Sequence, residues 1–316
     1  MKIQTVREVL DEELPPIHSF VGHGLIIIGG RTLIYGPKGS FKSYLAQSLC
    51  FALAAGKDWF GFPVTKKFRT VYIQAEVSPY FMQERTRAVQ PLLWPEVEDT
   101  MGVYTSRGFQ LSKKKDWVEM ADACDDFGAD FVVLDPISLF VAGTMNDEAM
   151  VGALTKGFDF VFEQLGISFG LIHHSGKSWF QGGEEVDRDV DALRGSSILA
   201  NWADTIIQLR RVRTNLDSTV EMSWQRTRNA KEPPKKLLRL GDDGILRLSE
   251  NDPRTVTLAI LSHGELHTDD LAGRLAEIGV SRERTQELRR DLLSEGLTIE
   301  LRDPEDKRKV LVKLRS

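Results

Sequence analysis

Cysteine is nearly absent: Cys50 and Cys124 are the only two in 316 residues, too few and too far apart for a disulfide framework. Both fall in apolar helical patterns, where a thiol is expected to be buried and inert. No Cys/His spacing suggests zinc. Long hydrophobic runs are missing too. The longest, GLIIIGGRTLIYG, is too short and too rich in glycine to span a bilayer. The polar, acidic opening MKIQTVREVLDEELPP carries no signal-peptide pattern, so a cytoplasmic protein with no membrane partner is expected. Nor is there a surplus of positive charge. Lys and Arg number 41 against 46 Asp and Glu, a net charge of −5, which excludes a uniformly basic nucleic-acid binder but not a local basic groove. The chain has no internal repeat and no low-complexity tract. What is present, 41% hydrophobic and 28% charged residues, suits a globular chain with one large domain and a small one.

The pattern from Arg31 to about Arg210 alternates short β-branched runs with helix-length segments. The runs RTLIY, TVYIQ, DFVVLD, SFGLIHH and DTIIQLRR read as strands. Lys42–Ala55, Ser78–Val89, Lys114–Phe127 and Asp147–Leu165 read as helices. Continuous apolar strands separated by helices predict a parallel sheet covered on both faces, an α/β fold. Farther on, LLRLGDDGILRL predicts a hairpin turning at Asp243-Gly244. SENDPR (Ser249 to Arg254) reads as a linker. After it come helical patterns at Thr255–Ser262, Thr268–Ile278 and Ser281–Glu295, then strand–turn–strand. That order predicts a winged helix-turn-helix. The expected division is an N-terminal segment 1–24, a large α/β domain 25–250 and the winged domain 251–316.

Chemistry enters at LIYGPKGSFKSYLAQ, Leu33 to Gln47. It departs by one residue from the phosphate-loop pattern G-x-x-x-x-G-K-[ST]: Gly36, Lys42 and Ser43 are in place, and Phe41 stands where the second glycine belongs. The loop follows a strand and opens a helix. Backbone N–H groups along Gly36, Pro37, Lys38, Gly39, Ser40 and Phe41 (Pro37 itself has none) then converge with the helix N-terminus on an anion. In such a loop Lys42 is expected to reach the β- and γ-phosphates, and the Ser43 hydroxyl to ligate Mg²⁺. A phenylalanine at a position favouring unusual φ is expected to be strained. Asp135 ends an apolar strand, where a carboxylate meets the ligand crevice and can hold Mg²⁺; it can equally begin a turn before Pro136. Glu76, just past another strand, can orient an attacking water or serve as a helix N-terminal acid. His173 and His174 end a strand and face opposite sides, so one can face the γ-phosphate while the other packs. The polar, glycine-rich stretch after them places Lys177 and Arg188 beside Trp179 and Phe180, a mix suited to single-stranded nucleic acid. Its acids Glu184, Glu185, Asp187 and Asp189 weigh against that reading. Arg226 and Arg228 alternate on an extended segment and so share one face, as a solvated edge or as arginine fingers for a neighbour.

In this order the motifs resemble the RecA-like ATPases, in particular the RepA-type and DnaB-type hexameric helicases, over roughly Leu25 to Leu248. The carrying segments are LIYGPKGSFKSYLAQSLCFALAAGKDWFGFPV, VYIQAEVSPYFMQER, LRGSSILANWADTIIQLRR and RTRN. The resemblance implies a RecA-like ATPase domain over 25–250, ATP and Mg²⁺ as cofactors, Glu76 as the catalytic glutamate and Asp135 as the Mg²⁺-associated aspartate. It implies His174 as the γ-phosphate sensor and trans-acting roles for Arg226 and Arg228. A homo-oligomer follows, a hexameric ring favoured, with single-stranded and possibly duplex DNA as partner. Phe41 and the acidic loop depart from the family pattern, and no N-terminal collar domain is expected in the first thirty residues. An AAA+ initiator is disfavoured because Pro136, not Glu, follows Asp135. A partition-type ATPase is disfavoured because Lys38 lies four rather than five residues before Lys42. An ATP-gated DNA-binding or assembly protein without unwinding activity stays open. Its support is the C-terminal set Arg282, Arg284, Arg289, Arg290, Lys307, Arg308 and Lys309, placed to grip phosphates, although acids nearly balance it.

Overall fold

The computed structural model describes every residue except 1–2, 14–17, 94–96, 146, 175–178, 182–183, 187–196, 212–217, 251, 279, 305 and 316. After a short exposed helix α1 (Val6–Asp11), strands β1 (Ser19–Val21) and β2 (Ile26–Ile27) pair antiparallel. Then follow β3 (Arg31–Gly36), α2 (Lys42–Ala55), β4 (Thr70–Gln74), α3 (Pro79–Leu93), β5 (Met101–Thr105), α4 (Lys114–Phe127) and β6 (Phe131–Asp135). The chain continues through α5 (Glu148–Leu165), β7 (Ser168–His174), the two-stranded β8 (Trp179–Gln181) and β9 (Glu184–Val186), and α6 (Ser197–Trp202). Strands β10 (Thr205–Arg211), β11 (Thr219–Thr227), β12 (Lys236–Leu240) and β13 (Leu246–Leu248) close this part.

Nine strands form one sheet in the order β13-β12-β11-β10-β3-β7-β6-β4-β5. From β10 to β5 every pairing is parallel, while β10, β11, β12 and β13 pair antiparallel. The parallel strands are apolar throughout because both faces are covered: all five residues of FVVLD are buried. One face carries the core of Leu134, Phe158, Val161 and Phe169 under α4, α5 and α6; the other packs Leu45, Leu49 and Leu53 of α2 with Trp59 and Trp224. Each fully buried leucine contributes about 1.5–3 kcal/mol, so α2, which opens the phosphate loop, is firmly seated.

The predicted helices and five strands fall within a few residues of their expected places, and the hairpin turns at Gly244 with φ 74°. Edge strand β5 lies outside the five expected strands. Val103 and Tyr104 in it are 44% and 46% exposed, so MGVYT carries no buried-strand pattern. The core also begins ahead of residue 25, because Phe20 and Val21 are buried in it. The buried Asp252 carboxylate accepts from Leu237 N of β12 at 3.0 Å and caps the next helix at Thr255 N, also at 3.0 Å.

The C-terminal part has its own core, Leu271, Leu275, Val280, Leu288 and Leu292. Around it lie α7 (Pro253–Leu261), β14 (Leu266–His267), α8 (Thr268–Ala276), α9 (Arg282–Ser294), β15 (Thr298–Arg302) and β16 (Val310–Leu314), the strands in the antiparallel order β14-β16-β15. Among the described residues no helix is long and apolar enough to cross a membrane.

Candidate nucleotide site

The loop between β3 and α2 lies at the carboxyl end of the parallel strands, where the crevice of an open α/β sheet forms. Gly36 is irreplaceable by contact: a Cβ there would stand 2.3 Å from the Leu209 carbonyl oxygen and 2.8 Å from Ser40 Oγ. Gly39, at φ 75°, would collide with the Arg211 guanidinium. Phe41 is left-handed, φ 60° and ψ 24°, the conformation a glycine adopts without strain. An L-residue there costs about 1–2 kcal/mol. The ring recovers part of this in a half-buried edge-on contact with Tyr44, centroids 6.2 Å apart.

Lys42 is 4% exposed, and its ammonium donates to the Pro37 carbonyl at 2.6 Å, which also accepts from Ser40 Oγ at 2.9 Å. Burial pulls the Lys42 pKa down to about 8, against the attraction of Asp135 and Glu76. Asp135 is buried at the end of β6, and burial pushes its pKa up. Hydrogen bonds from Ser43 and Tyr72 oppose the rise, Glu76 adds to it and Lys42 counters it. The Tyr72 hydroxyl donates to Asp135 Oδ2. Glu76 is exposed beyond β4, on a turn built by the buried Gln74, whose Oε1 accepts from Glu76 N and Val77 N at 3.1 and 2.9 Å. The Gln74 amide donates to Val77 O and Thr105 Oγ1 at 2.8 and 2.9 Å, tying that turn to β5.

His173 and His174 stand beside Tyr35 and Gly36 of β3. The Nδ1 of each is buried and has no hydrogen-bond partner among the described residues. Burial, then His174 and Lys42, bring His173 down to about 4. His174 is less buried; burial lowers its pKa, with Lys42 and Lys38 acting in the same sense and Glu76 against them. Gly36, Lys42, Ser43, Glu76, Asp135 and His174 therefore share one crevice. A cation with no ion pair among the described residues, a buried acid beside a hydroxyl and a glycine cradle fit a phosphate chain with a divalent cation. Three further participants carry no signal in the sequence: Tyr72, Gln74, and Arg211, whose Nε donates to Gly39 O at 3.1 Å. Nothing in a period-2 strand pattern marks an inward tyrosine as a carboxylate's partner.

The arginines sit elsewhere. Arg226 donates to the carbonyls of Ala200 and Ala203, the latter at 3.4 Å. Arg228 donates to Asn201 O and reaches Asp204 Oδ1 at 3.1 Å. Both thus turn to one side, at the start of β10, the opposite end of the sheet from the phosphate loop. Lys177 and Arg188 lie outside the described residues. In the C-terminal part Arg282 pairs with Asp269 at 2.7 Å, Arg284 with Glu287 at 2.8 Å, Arg289 with Glu300 at 2.6 Å and Arg308 with Asp306 at 3.1 Å. Arg290 donates to Gln286 O at 3.4 Å, and Lys307 and Lys309 are exposed at the β15–β16 turn.

A family model described as an AAA domain, AAA_25, matches residues 1–179. No curated protein matches the chain. Among solved structures the chain is similar to one described as an ATPase domain, with a TM-score of 0.55 and 12% identity over 74% of this chain and 93% of that one. It is also similar to a DnaB-like replicative helicase described with its interactions with primase, TM-score 0.55 and 13% identity. That match covers 71% of this chain and 58% of the helicase. At such identities the likeness is one of fold: the RecA-like arrangement of the sheet and its helices.

Proposed function

Since this chain belongs to the AAA_25 family of AAA domains and is a P-loop ATPase on a RecA-like core, we propose that it is a motor coupling MgATP hydrolysis to movement along single-stranded DNA, as a ring of like subunits. The observation that carries this reading is the division of the site. Lys42, Ser43, Asp135, Glu76 and His174 gather at one end of the sheet, and Arg226 and Arg228 at the other. Arg226 and Arg228 can then serve only a neighbour's phosphates, while Arg211 lies at this subunit's own loop. The likeness to a replicative helicase and the RTRN motif support the same arrangement.

Lys42 binds the β- and γ-phosphates and loses its desolvation cost in doing so. Ser43 and Asp135 would hold Mg²⁺, which when bound would neutralise phosphate charge. Glu76, exposed and in reach of solvent, takes the proton of the attacking water at its carboxylate. His174, neutral near pH 7, offers a hydrogen bond at the γ-phosphate position. The polar stretch with Lys177 and Arg188 is the proposed strand contact.

We read the C-terminal part as a winged helix from its order of three helices and three strands, with α9 second in the helix-turn-helix. Its pairing of Arg282, Arg284, Arg289 and Arg308 with acids favours a second reading for that part, a protein contact rather than a duplex grip. Binding of the full chain to duplex DNA across salt separates these: a steep loss with salt means phosphate contacts.

The test of the motor is steady-state MgATP hydrolysis with and without single-stranded DNA over a range of protein concentration. Activity is expected to rise with both. Mixing Lys42→Ala with Arg228→Ala protein, each inactive alone, is expected to restore activity at mixed interfaces. Turnover that is indifferent to DNA and to protein concentration would leave an ATP-gated assembly protein, a reading that the strained Phe41 loop favours.

A further inference from the structure

Lys236 opens β12, three strands away from β3, and is only 9% exposed. It lines a cleft of about 710 Å³ bounded by the β1–β2 turn, the Gly61–Pro63 segment, the Ala230–Lys236 segment, and α7 and α9. Among the described residues its ammonium has no hydrogen bond and no ion pair; its contact is the face of Phe62, 5.2 Å from the ring centre. A lysine so buried beside an aromatic face costs free energy unless an anion completes it. The nearby acids are already engaged. The Asp252 carboxylate holds Leu237 N and Thr255 N, and Glu295 holds Arg254 through a fork, one arm at 3.0 Å. Asp252 and Glu295 therefore only attract Lys236 from a distance, Arg254 repels it, and burial lowers its pKa. The exposed Lys231 adds positive charge to the same walls, where Arg284 is already paired with Glu287, while Glu232 and Asp291 set its acidic rim.

We propose that this cleft binds a nucleotide phosphate at a site separate from the ATP loop, with Lys236 as anchor and the apolar walls Pro63 and Pro233 beside the base. No residue of Gly36–Ser43 lines it. A phosphate forms charge-assisted hydrogen bonds with a buried ammonium. Apolar walls of Pro63 and Pro233 beside a cation that is held against Phe62 suit a base and sugar better than a bare carboxylate. The volume admits a mononucleotide or one unit of a strand; both present the same phosphate chemistry. The site stands without the motor reading.

The test uses the full chain as Lys42→Met, which silences the ATP loop, titrated with AMP by calorimetry and with a labelled deoxythymidine dodecamer by anisotropy. Binding of AMP that Lys236→Met weakens assigns a mononucleotide site in this cleft. Binding of the dodecamer alone, weakening with salt, assigns a strand site. In either case Lys236→Met is expected to weaken binding about tenfold or more, from the size of a charged hydrogen bond, and Lys236→Arg to keep it. Lys231→Ala, a change at an exposed residue, is expected to weaken it about threefold and guards against a folding artefact at Lys236. The proposal is overturned if neither probe binds at millimolar concentration, if Lys236→Met and Lys231→Ala leave binding unchanged, or if an oligoglutamate peptide takes the cleft and the nucleotides do not.

Discussion

Replacing Lys42 by methionine is expected to stabilise the nucleotide-free protein while abolishing its response to MgATP. The unfolded chain holds this ammonium at the ordinary 10.5, and the folded site holds it at about 8 because burial disfavours the charge. The folded value is the lower one, so the unfolded state binds the proton more tightly. The cost to the fold is thus fully present below about pH 8 and fades as pH rises from there toward 10.5. At about 1.4 kcal/mol per pKa unit, linkage gives a cost of about 3 kcal/mol near neutral pH and about 1.4 kcal/mol near pH 9.5. Methionine is similar in length and uncharged, and the Pro37 carbonyl keeps its bond from Ser40 Oγ. Urea unfolding near pH 7 is therefore expected to show Lys42→Met more stable by about 1–3 kcal/mol, with the gap roughly halved near pH 9.5. In a thermal scan MgATP should raise the midpoint of the wild type only. A variant less stable than the parent near neutral pH, or a gap that ignores pH, would refute the account of a desolvated, phosphate-seeking lysine.

Other residues give separate tests. Phe41→Gly relieves about 1–2 kcal/mol of left-handed strain and returns about 0.5–1 kcal/mol in unfolded-chain freedom. Its urea-derived stability should lie within about 1 kcal/mol of wild type, whereas Phe41→Val, β-branched at the same φ, should lose about 2 kcal/mol or more. Tyr72→Phe removes a hydrogen bond that lowers the Asp135 pKa, so the acid limb of the ATPase pH–rate profile is expected to move to higher pH. An unmoved limb would detach Tyr72 from the site. Cys124, raised to about 11 by burial, and the more deeply buried Cys50, raised further, should resist a thiol-disulfide reagent near pH 8 until the chain is unfolded.

Much of the fold is legible because parallel strands buried on both faces leave unbroken apolar runs, and the helices between them start and stop at plain signals. Lys42–Ala55 ends at Gly56 and Lys114–Phe127 at Gly128, both left-handed. β5 escapes the same reading because an edge strand half open to solvent needs no apolar run. The site divides similarly. Lys42, Ser43, Glu76, Asp135 and His174 announce themselves by standing at strand ends or in a motif. Tyr72, Gln74 and Arg211 do not, because what qualifies them is a partner supplied by another strand or loop.

By itself the sequence determined the phosphate loop, the order of strands and helices, and the strain at Phe41, since each depends on neighbours within a few positions. The tertiary structure alone decided that Arg226 and Arg228 lie at the far end of the sheet from Lys42, and that four of the C-terminal arginines are paired with acids. It alone buried the Lys236 ammonium against Phe62, with no ion pair among the described residues. Charges act through distance and dielectric, and both are set by which surfaces fold together, not by spacing along the chain.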